Sequence, residues 1–316
     1  MFAIISPFSQ SFDDFWFTYK IPKNLINILK SWMIVKIPFW KKEIFWVVLD
    51  IWEKTNFDEK KIKEIINIYS NNIFLNENQI TLLKWISLYY FCLIHTSTTL
   101  FFPKNLIWKI KKNKFKFSEN QKKLEYKFDY KKTLNQNQKE VFDKILNSTK
   151  NKFMLYGVTW SGKTEIYINL IKKYLDLEKQ SILLVPEIIL TNQIFDRIKK
   201  VFWNEVLILN STISEAKKTK FWEEIYQNNA KIIIWTRSAL FYPYNNLWLI
   251  IIDEEHDNSY ISDNTPRYDV VEVANKMCEI DKNIKLILGS WTPKINHLYK
   301  WLKWDYEVLN LFEEYK

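Results

Sequence analysis

The sequence predicts an α/β protein in which a domain with a mostly parallel sheet follows a small β-rich region. Continuous apolar runs, such as 182–185 and 249–252, are typical of strands buried on both faces of a parallel sheet. Stretches with helical spacing separate several of these runs. Residues 157–164 join a predicted strand, 152–156, to a predicted helix, 165–177. This strand–loop–helix order also indicates an α/β domain.

Composition bounds the classes of protein that fit. With 316 residues, 47% of them hydrophobic, the chain is long enough for two or three domains. The net charge of +10 favours a polyanionic partner, although an ordinary basic surface explains the charge equally well. Cys92 and Cys278 suggest neither a disulfide framework nor a zinc site, which favours a cytoplasmic location. No signal peptide is recognised, and the apolar stretch 89–102 is too short to span a bilayer, so we expect no membrane partner.

Residues 1–103 are predicted to form one domain that begins as a β-rich unit. A helix is predicted over 58–69 because isoleucines recur there at helical spacing. Asn76 is predicted to cap a second helix that reaches about Phe91. The predicted strands are 2–7, 17–22, 33–38 and 43–50.

A lysine-rich stretch, 104–132, separates this domain from the rest. It holds eleven Lys against three acidic residues and shows no clear periodicity. We predict a solvated linker, with contact to a nucleic-acid backbone as the less favoured alternative. Residues 133–316 are predicted to form the α/β domain, beginning with a helix at 135–147. Its predicted strands are 152–156, 181–185, 205–209, 231–235, 248–252 and 285–288.

Residues 157–164 fit the phosphate-loop pattern G-x-x-x-x-G-K-[ST] in full. In this pattern backbone N–H groups at the start of a helix point at a triphosphate. Lys163 is predicted to reach the β- and γ-phosphates, and Thr164 to bind Mg²⁺. Trp160 is out of place, because a bulky ring inside the loop competes with the phosphates.

Asp253, Glu254, Glu255 and His256 directly follow the predicted strand 248–252. Open α/β sheets bind ligands at the carboxyl ends of their strands. Asp253 suits Mg²⁺ coordination, and Glu254 can orient or deprotonate an attacking water. His256 could relay the state of the nucleotide to neighbouring segments. An acidic strand end on the surface is the alternative, but the phosphate loop upstream favours a catalytic role.

Three segments resemble motifs I, II and III of superfamily 2 helicases, namely 157–164, 253–256 and 289–293. Finer strings are similar to those of one family, the PriA family of primosomal replication-restart helicases. The strings are G-V-T-G-S-G-K-T-E at 157–165 with Trp160 at the middle glycine, P-E-I-x-L-T-x-Q at 186–193, G-T-R-S-A-L-F at 235–241 with Trp235 at its glycine, and D-E-E-H-D-x-S-Y at 253–260, followed by Pro266-Arg267-Tyr268.

The resemblance implies that 133–316 is a RecA-like motor lobe of a 3′→5′ DNA helicase that uses ATP and Mg²⁺. Gln138 lies in the segment that resembles the adenine-recognising part of the family. The implied catalytic residues are Lys163, Asp253, Glu254 and His256, with Thr164 and Asp253 at the metal. The implied nucleotide contacts are Gln138, Gly157, Thr159, Trp160, Ser161, Gly162, Lys163, Thr164 and Glu165.

The implied partners are forked or single-stranded DNA and primosome proteins. Thr191, Thr236 and Arg237 are candidates for sequence-independent contact with the DNA backbone. Tyr260, Arg267 and Tyr268 fall in a loop that couples single-strand binding to ATP hydrolysis in the family. Simple packing is an equal alternative for the two tyrosines, and a structural ion pair is the alternative for Arg237.

Residues 1–103 resemble the family's domain that binds the 3′ end of a nascent strand. The family usually has F-D-Y where Phe17-Thr18-Tyr19 stands, which weakens the case for 3′-end recognition. The family's second motor lobe, and the zinc module inserted in it, have no counterpart in this sequence, so zinc is expected only there. We therefore expect an N-terminal fragment, or one half of a split gene whose second lobe is a separate chain. The alternative function is a non-catalytic DNA-binding module with a vestigial nucleotide site.

The ratio of glycine to tryptophan is abnormal. The sequence has 3 Gly and 15 Trp, although about 22 glycines are expected for this length. Several tryptophans occupy the family's glycine positions, whereas Trp85 and Trp222 fit helices and Trp291 replaces a small residue. We hypothesise that UGA encodes glycine here and was translated as Trp, the alternative being a decayed gene. The tryptophans at suspected glycine positions are Trp32, Trp40, Trp46, Trp160, Trp235, Trp248 and Trp304.

His95 and His297 show no partner pattern in the sequence, and both are interpreted as structural residues.

Overall fold

The computed structural model divides the chain into two compact units, Met1–Ser118 and Glu119–Lys316. Each unit has its own sheet and its own hydrophobic core. The residues described are 1–6, 17–69, 74–117, 133–158, 161–186, 193–202, 206–208, 213–235, 237–295, 297–299 and 306–311.

Unit 1 is built on a five-stranded antiparallel sheet with strand order β2-β1-β4-β3-β5. The four strands predicted from the sequence are confirmed. Ala3, Ile5 and Val48 lie on the core face, where the apolar residues of the sheet meet. The strands are β1 (Phe2–Ser6), β2 (Phe17–Lys20), β3 (Ile34–Phe39), β4 (Lys42–Trp52) and β5 (Asn67–Ile68).

The helix predicted over 58–69 is wrong. The Ile65 N–H donates to the carbonyl of Lys20 (3.0 Å), and the Ile66 N–H donates to the carbonyl of Lys36 (2.9 Å). From Lys63 onward the backbone of this segment therefore bonds to the strands of the sheet rather than in a helical pattern. Ile65 is buried and the next residue, Ile66, is exposed, which is the alternation of a strand. Backbone pairing at the sheet outweighs the helical spacing of the isoleucines.

Three α-helices complete the described part of unit 1. Asn76 caps the first as predicted, because its side chain accepts the Gln79 N–H while the Gln79 side chain accepts the Asn76 N–H. The third helix lies within the predicted linker, where apolar residues at 106, 107 and 110 are buried. These eight residues therefore form a helix, while 118–132 lie outside the described residues. The helices are α1 (Glu77–Tyr89), α2 (Ile94–Phe101) and α3 (Lys104–Lys111).

Unit 2 is built on a seven-stranded parallel sheet with strand order β12-β6-β11-β10-β7-β9-β8. All six predicted strands are present, and β12 was not predicted. The strands are β6 (Lys152–Gly157), β7 (Gln180–Leu184), β8 (Val206–Ile208), β9 (Ile232–Trp235), β10 (Leu247–Ile252), β11 (Lys285–Ser290) and β12 (Tyr306–Leu311). The helices are α4 (Gln136–Asn147), α5 (Lys163–Asp176), α6 (Gln193–Phe202), α7 (Glu215–Tyr226) and α8 (Val270–Ile280).

The order of the central strands places the predicted motifs side by side. β11 lies between β6 and β10, and all three strands run in the same direction. Their carboxyl ends therefore meet at one edge of the sheet, which we call the phosphate edge. Gly157 ends β6, Ser290 ends β11, and Asp253 follows β10. This architecture confirms the predicted RecA-like α/β lobe.

Several suspected glycine positions have backbone that disfavours tryptophan. Trp32 (φ 72°) and Trp40 (φ 53°) adopt the left-handed conformation, which is unusual for bulky residues. Trp248 lies at a register shift between β10 and β7, a place that favours glycine. Trp46 instead has an ordinary strand position and packs on Phe39. Trp160, Trp304 and the side chain of Trp235 lie outside the described residues.

None of the helices in the described part of the chain has the length and apolar character needed to cross a bilayer.

Candidate active site

The phosphate loop connects the end of β6 to the start of α5 at the phosphate edge. Gly162 precedes the helix with φ 86°, a conformation that glycine adopts without strain. Gly157 has no room for a side chain, because a Cβ would lie 2.7 Å from the Ser161 Oγ. The loop therefore requires glycine at both positions where the sequence has it. Thr159 and Trp160 lie outside the described residues.

Lys163 is buried in the first turn of α5, with 7% of its surface exposed. Its ammonium donates to the carbonyl of Gly157 (2.7 Å) and lies 3.8 Å from the Glu254 carboxylate. The predicted phosphate ligand and the predicted water-activating carboxylate therefore share one charged cluster. Half-buried Thr164 follows Lys163 at the start of the helix.

Asp253 is buried beneath this cluster. Its carboxylate accepts a hydrogen bond from the Tyr167 hydroxyl on α5 (2.9 Å). Burial, and secondarily the neighbouring Glu254 charge, raise the pKa of Asp253 to about 6. A cation bound at this carboxylate would remove that penalty, because an opposite charge favours the ionised form. The position therefore suits the predicted Mg²⁺ ligand.

Glu254 and His256 connect motif II with motif III. Glu254 adopts a left-handed backbone (φ 46°), although it is not a glycine. Its carboxylate lies 3.6 Å from the Nδ1 atom of His256, and the same nitrogen lies 3.0 Å from the Ser290 Oγ. His256 therefore contacts both the predicted catalytic glutamate and β11, which is the geometry that a relay needs.

The amide Nε2 of Gln138 and the hydroxyl of Ser161 are among the buried polar atoms that have no hydrogen-bond partner in the described part of the chain. Buried polar groups are normally satisfied, so such atoms are candidates for ligand contacts. Gln138 also closes the capping box of α4 with Asn135, which fixes its orientation. Both residues fit the predicted nucleotide contacts.

Glu165 has a protein partner of its own. Its carboxylate is buried and pairs with the Arg197 guanidinium on α6. The ion pair joins α5 to α6, but both carboxylate oxygens are buried without a hydrogen-bond partner among the described residues, so the contact of Glu165 with the nucleotide stays a prediction.

Tyr260 and Tyr268, predicted to stack on bases or to sense them, point into the protein in the described structure. Both rings are buried, with 2% and 4% of their surface exposed. The Tyr260 hydroxyl donates to the backbone carbonyl of Asp253 (2.6 Å). Tyr268 packs edge-on against Phe241, with ring centroids 4.8 Å apart. The geometry is that of the packing alternative, because apolar rings gain free energy by burial in the core, and a role of these residues in DNA binding stays a prediction.

The Arg237 side chain also makes its contacts within the protein. Its guanidinium donates to the carbonyls of Ser259 (3.2 Å) and Ile261 (2.7 Å), and lies 3.8 Å from the Asp263 carboxylate. The structural alternative to DNA contact is therefore the one observed. Arg267 is exposed, as a DNA contact requires. Thr191 and Thr236 lie outside the described residues.

The contacts of three residues that hold this site together were not predicted from the sequence. Tyr167 carries no motif, and its role follows only from its place on α5. Ser290 lies within the matched motif III, which is a usable signal. His297, interpreted as having no partner pattern, pairs with Glu255 (2.6 Å) and faces Asp269 (3.6 Å). These contacts join residues distant in sequence, which spacing alone does not show.

Comparison with known families agrees with the geometry. The family model described as DEAD/DEAH box helicase matches residues 135–300, more than half of the chain. The chain belongs to this helicase family. A second family model, described as a 3′ DNA-binding domain, matches residues 10–103. The helicase match coincides with the parallel sheet of unit 2, and the second match falls within unit 1.

Individual relatives support the narrower resemblance. Replication restart protein PriA of Rickettsia prowazekii (strain Madrid E) is 34% identical over 314 residues, covering 99% of this chain and 46% of that protein. PriA of Rickettsia conorii (strain ATCC VR-613 / Malish 7) is 35% identical over 300 residues, covering 94% and 44%. PriA of Bacillus subtilis (strain 168) is 41% identical over 182 residues, covering 56% and 22%. The resemblance to the N-terminal portion of PriA is confirmed, and the chain spans less than half of each of these relatives.

Proposed function

We propose that this chain is the ATP-binding part of an ATP-dependent DNA helicase that acts in replication restart. One observation carries the proposal: Lys163, Asp253, Glu254 and His256 converge at the phosphate edge, where parallel sheets bind ligands. The family match over the same residues supports it.

The roles of the residues follow from their charges and positions. Lys163 would exchange the Gly157 carbonyl for the β- and γ-phosphates, since both lie within reach of a phosphate-loop lysine. Thr164 and Asp253 would hold Mg²⁺, which neutralises charge on the phosphates when bound. Glu254 would orient the attacking water, and its contact with Lys163 places it beside the reacting groups. Gln138 would donate to the adenine.

Unit 1 supplies the proposed DNA contact. The match to a 3′ DNA-binding domain supports binding of forked or single-stranded DNA, and exposed Arg267 would add a contact from unit 2. We extend the proposal to 3′→5′ translocation and to association with primosome proteins. Efficient hydrolysis in P-loop motors uses arginines supplied from an opposing domain, so we propose that a second lobe stimulates this chain.

The decisive experiment measures ATP hydrolysis with and without forked DNA, in the presence and absence of a second-lobe chain taken from a PriA relative. We expect DNA to stimulate hydrolysis when both lobes are present. Fork binding without any stimulation under either condition would instead support the alternative, a DNA-binding module with a vestigial nucleotide site. A fork with a blocked 3′ end is the control for recognition of the 3′ end. This control is needed because Thr18 stands where the family usually has Asp, which weakens the case for 3′-end recognition.

We also propose that UGA encodes glycine in the source of this sequence. The left-handed backbone of Trp32 and Trp40 supports it, as does the register shift at Trp248. The intact Lys163 and Asp253 argue against a decayed gene. Sequencing the gene and weighing native peptides tests the proposal directly, and UGG codons at 40, 160 and 235 would refute it.

A stability measurement gives a second test of the glycine proposal. Trp40 is 84% exposed, so its ring adds little packing. Replacing it with glycine should stabilise unit 1 by about 1 kcal/mol, because the left-handed strain disappears. The matched control, Trp108→Gly in helix α3, should cost about 1 kcal/mol. A loss of stability in Trp40→Gly would remove this support.

A further inference from the structure

His297 lies buried between two carboxylates that bracket one segment of unit 2. The segment, residues 256–268, follows Glu255 and precedes Asp269, and we call it the coupling segment. The Nδ1 atom of His297 lies 2.6 Å from Glu255 Oε2, and its Nε2 atom lies 3.6 Å from Asp269 Oδ2. Only 2% of the histidine surface is exposed. One imidazole therefore holds both ends of the coupling segment.

The surroundings favour the charged form of this ring. A neutral imidazole donates through one nitrogen, whereas the imidazolium donates through both. Hydrogen bonds and charges from Asp269 and Glu255 outweigh burial and raise the pKa of His297 to about 9. The same partnership, aided by the charge of Lys294, lowers the pKa of Asp269 against the effect of its burial. The three groups therefore form a buried ionic bridge.

Each carboxylate has a second attachment. Glu255 Oε1 accepts the Lys294 N–H (3.3 Å), and the Glu255 N–H donates to the carbonyl of Gly289 (3.0 Å). Asp269 caps α8 by accepting the Val271 N–H (2.8 Å). The bridge therefore joins motif II, the residues after motif III and the start of α8.

Glu254 directly precedes Glu255, one of the two carboxylates that the bridge holds. Its left-handed backbone is strained for a residue with a side chain, and such a conformation persists only where the surroundings fix it. Its neighbour Glu255 is fixed by His297, by Lys294 and by Gly289. The bridge thus constrains the residue that faces Lys163.

We propose that His297 is a positioning residue that locks Glu254 in its catalytic conformation by bridging Glu255 and Asp269. It is not one of the residues proposed to hold the nucleotide or the metal, and it acts through Glu255. The part of the inference that concerns hydrolysis rests on the proposed function. The part that concerns the coupling segment stands on the geometry alone.

Amide hydrogen exchange tests the bridge without any need for activity. In His297→Gln, exchange should accelerate about tenfold at both ends, read at the Glu255 and Ser262 amides. Asp269→Asn keeps the helix cap but frees one end, so only Ser262 should accelerate. His95→Gln, which changes a buried histidine in unit 1, should alter neither amide. Unchanged exchange in His297→Gln, or uniform acceleration throughout unit 2, would overturn the proposal.

Kinetics then separate positioning from folding. His297→Gln should lower kcat about tenfold or more while the affinity for MgATP stays within about twofold of wild type, because the phosphate loop is untouched. His297→Lys, which keeps a positive charge, should restore part of the loss. Equal loss of affinity and kcat would contradict a positioning role. If the wild type hydrolyses no ATP, the proposed function fails, and the exchange result alone decides the bridge.

Discussion

The phosphate edge and the coupling segment place their polar groups in opposite ways. At the phosphate edge, Lys163 and Glu254 face each other across 3.8 Å, with His256 beside them. The coupling segment turns Tyr260 and Tyr268 into the core and leaves Arg267 exposed. One region brings charged side chains together at the ends of parallel strands, and the other is held by hydrogen bonds and packing within the protein. Under the proposed function, the first region would perform chemistry and the second would couple it to DNA binding.

The largest expected effect is on the unfolding free energy, and it tests whether the tyrosines of the coupling segment belong to the core. Tyr260→Ala should cost about 4 kcal/mol of unfolding free energy, because a fully buried ring is lost. Tyr260→Phe should cost about 1 kcal/mol, the value of its bond to Asp253. Urea unfolding measures both, with exposed Tyr299→Ala as the control. If Tyr260→Ala instead weakened single-strand binding at unchanged stability, base stacking would be the correct role.

The next effect belongs to the phosphate edge. Lys163→Ala should weaken MgATP binding about 100-fold, because a buried charged donor is removed from the phosphates. Binding to forked DNA should remain, since unit 1 carries that contact. Exposed Lys173→Ala on the same helix is the control, and titration with a fluorescent ATP analogue gives the affinity. Loss of fork binding together with nucleotide binding would break the proposed division between the units.

The pH dependence of the unfolding free energy tests whether ionic contacts of His297 hold the coupling segment. The folded pKa of His297, about 9, lies above its ordinary value of 6.5. The stabilisation is therefore fully present below pH 6.5 and is lost as the pH rises through 9. We expect about 3 kcal/mol of unfolding free energy to disappear over this interval. His297→Gln should flatten the profile, and His95→Gln should not. A profile unchanged by His297→Gln would show that the histidine is not charged in the fold.

The smallest effect compares two arginines. Arg237→Ala should cost about 1 kcal/mol of stability, because the Ser259 and Ile261 carbonyls lose their donor. Arg267→Ala should leave stability unchanged and weaken DNA binding, since the side chain is exposed. Thermal unfolding and fluorescence anisotropy with single-stranded DNA give the two readings. The reverse pattern would restore the DNA role predicted for Arg237.

Local patterns predicted most of the fold. The apolar runs predicted every strand of the parallel sheet except β12. That strand was missed because it has the alternating pattern of an edge strand, with Val308 exposed and Leu309 buried, rather than a continuous apolar run. The helix predicted over 58–69 failed because its backbone bonds to distant strands, which spacing within the segment does not show. The phosphate edge was predictable for a physical reason: parallel strands bring their ends together whatever the connecting loops do.

The coupling segment was harder to predict, because a motif gives residue identity but not side-chain direction. Tyr260 and Tyr268 have the same identity whether they stack on a base or fill the core. His297 pairs with a carboxylate 42 residues away, so no local spacing reports the contact. Chemistry at strand ends is therefore easier to predict than the contacts that transmit it.

The unpredicted strand has a consequence for solubility. Every residue of β6, which leads into the phosphate loop, pairs with β12. A version shortened after motif III would leave β6 as an open edge, with a row of unpaired N–H and C=O groups. Such an edge is a template for strand addition by another molecule. We expect the shortened version to form insoluble aggregates. By pairing with β6, β12 would prevent that strand from pairing with another molecule.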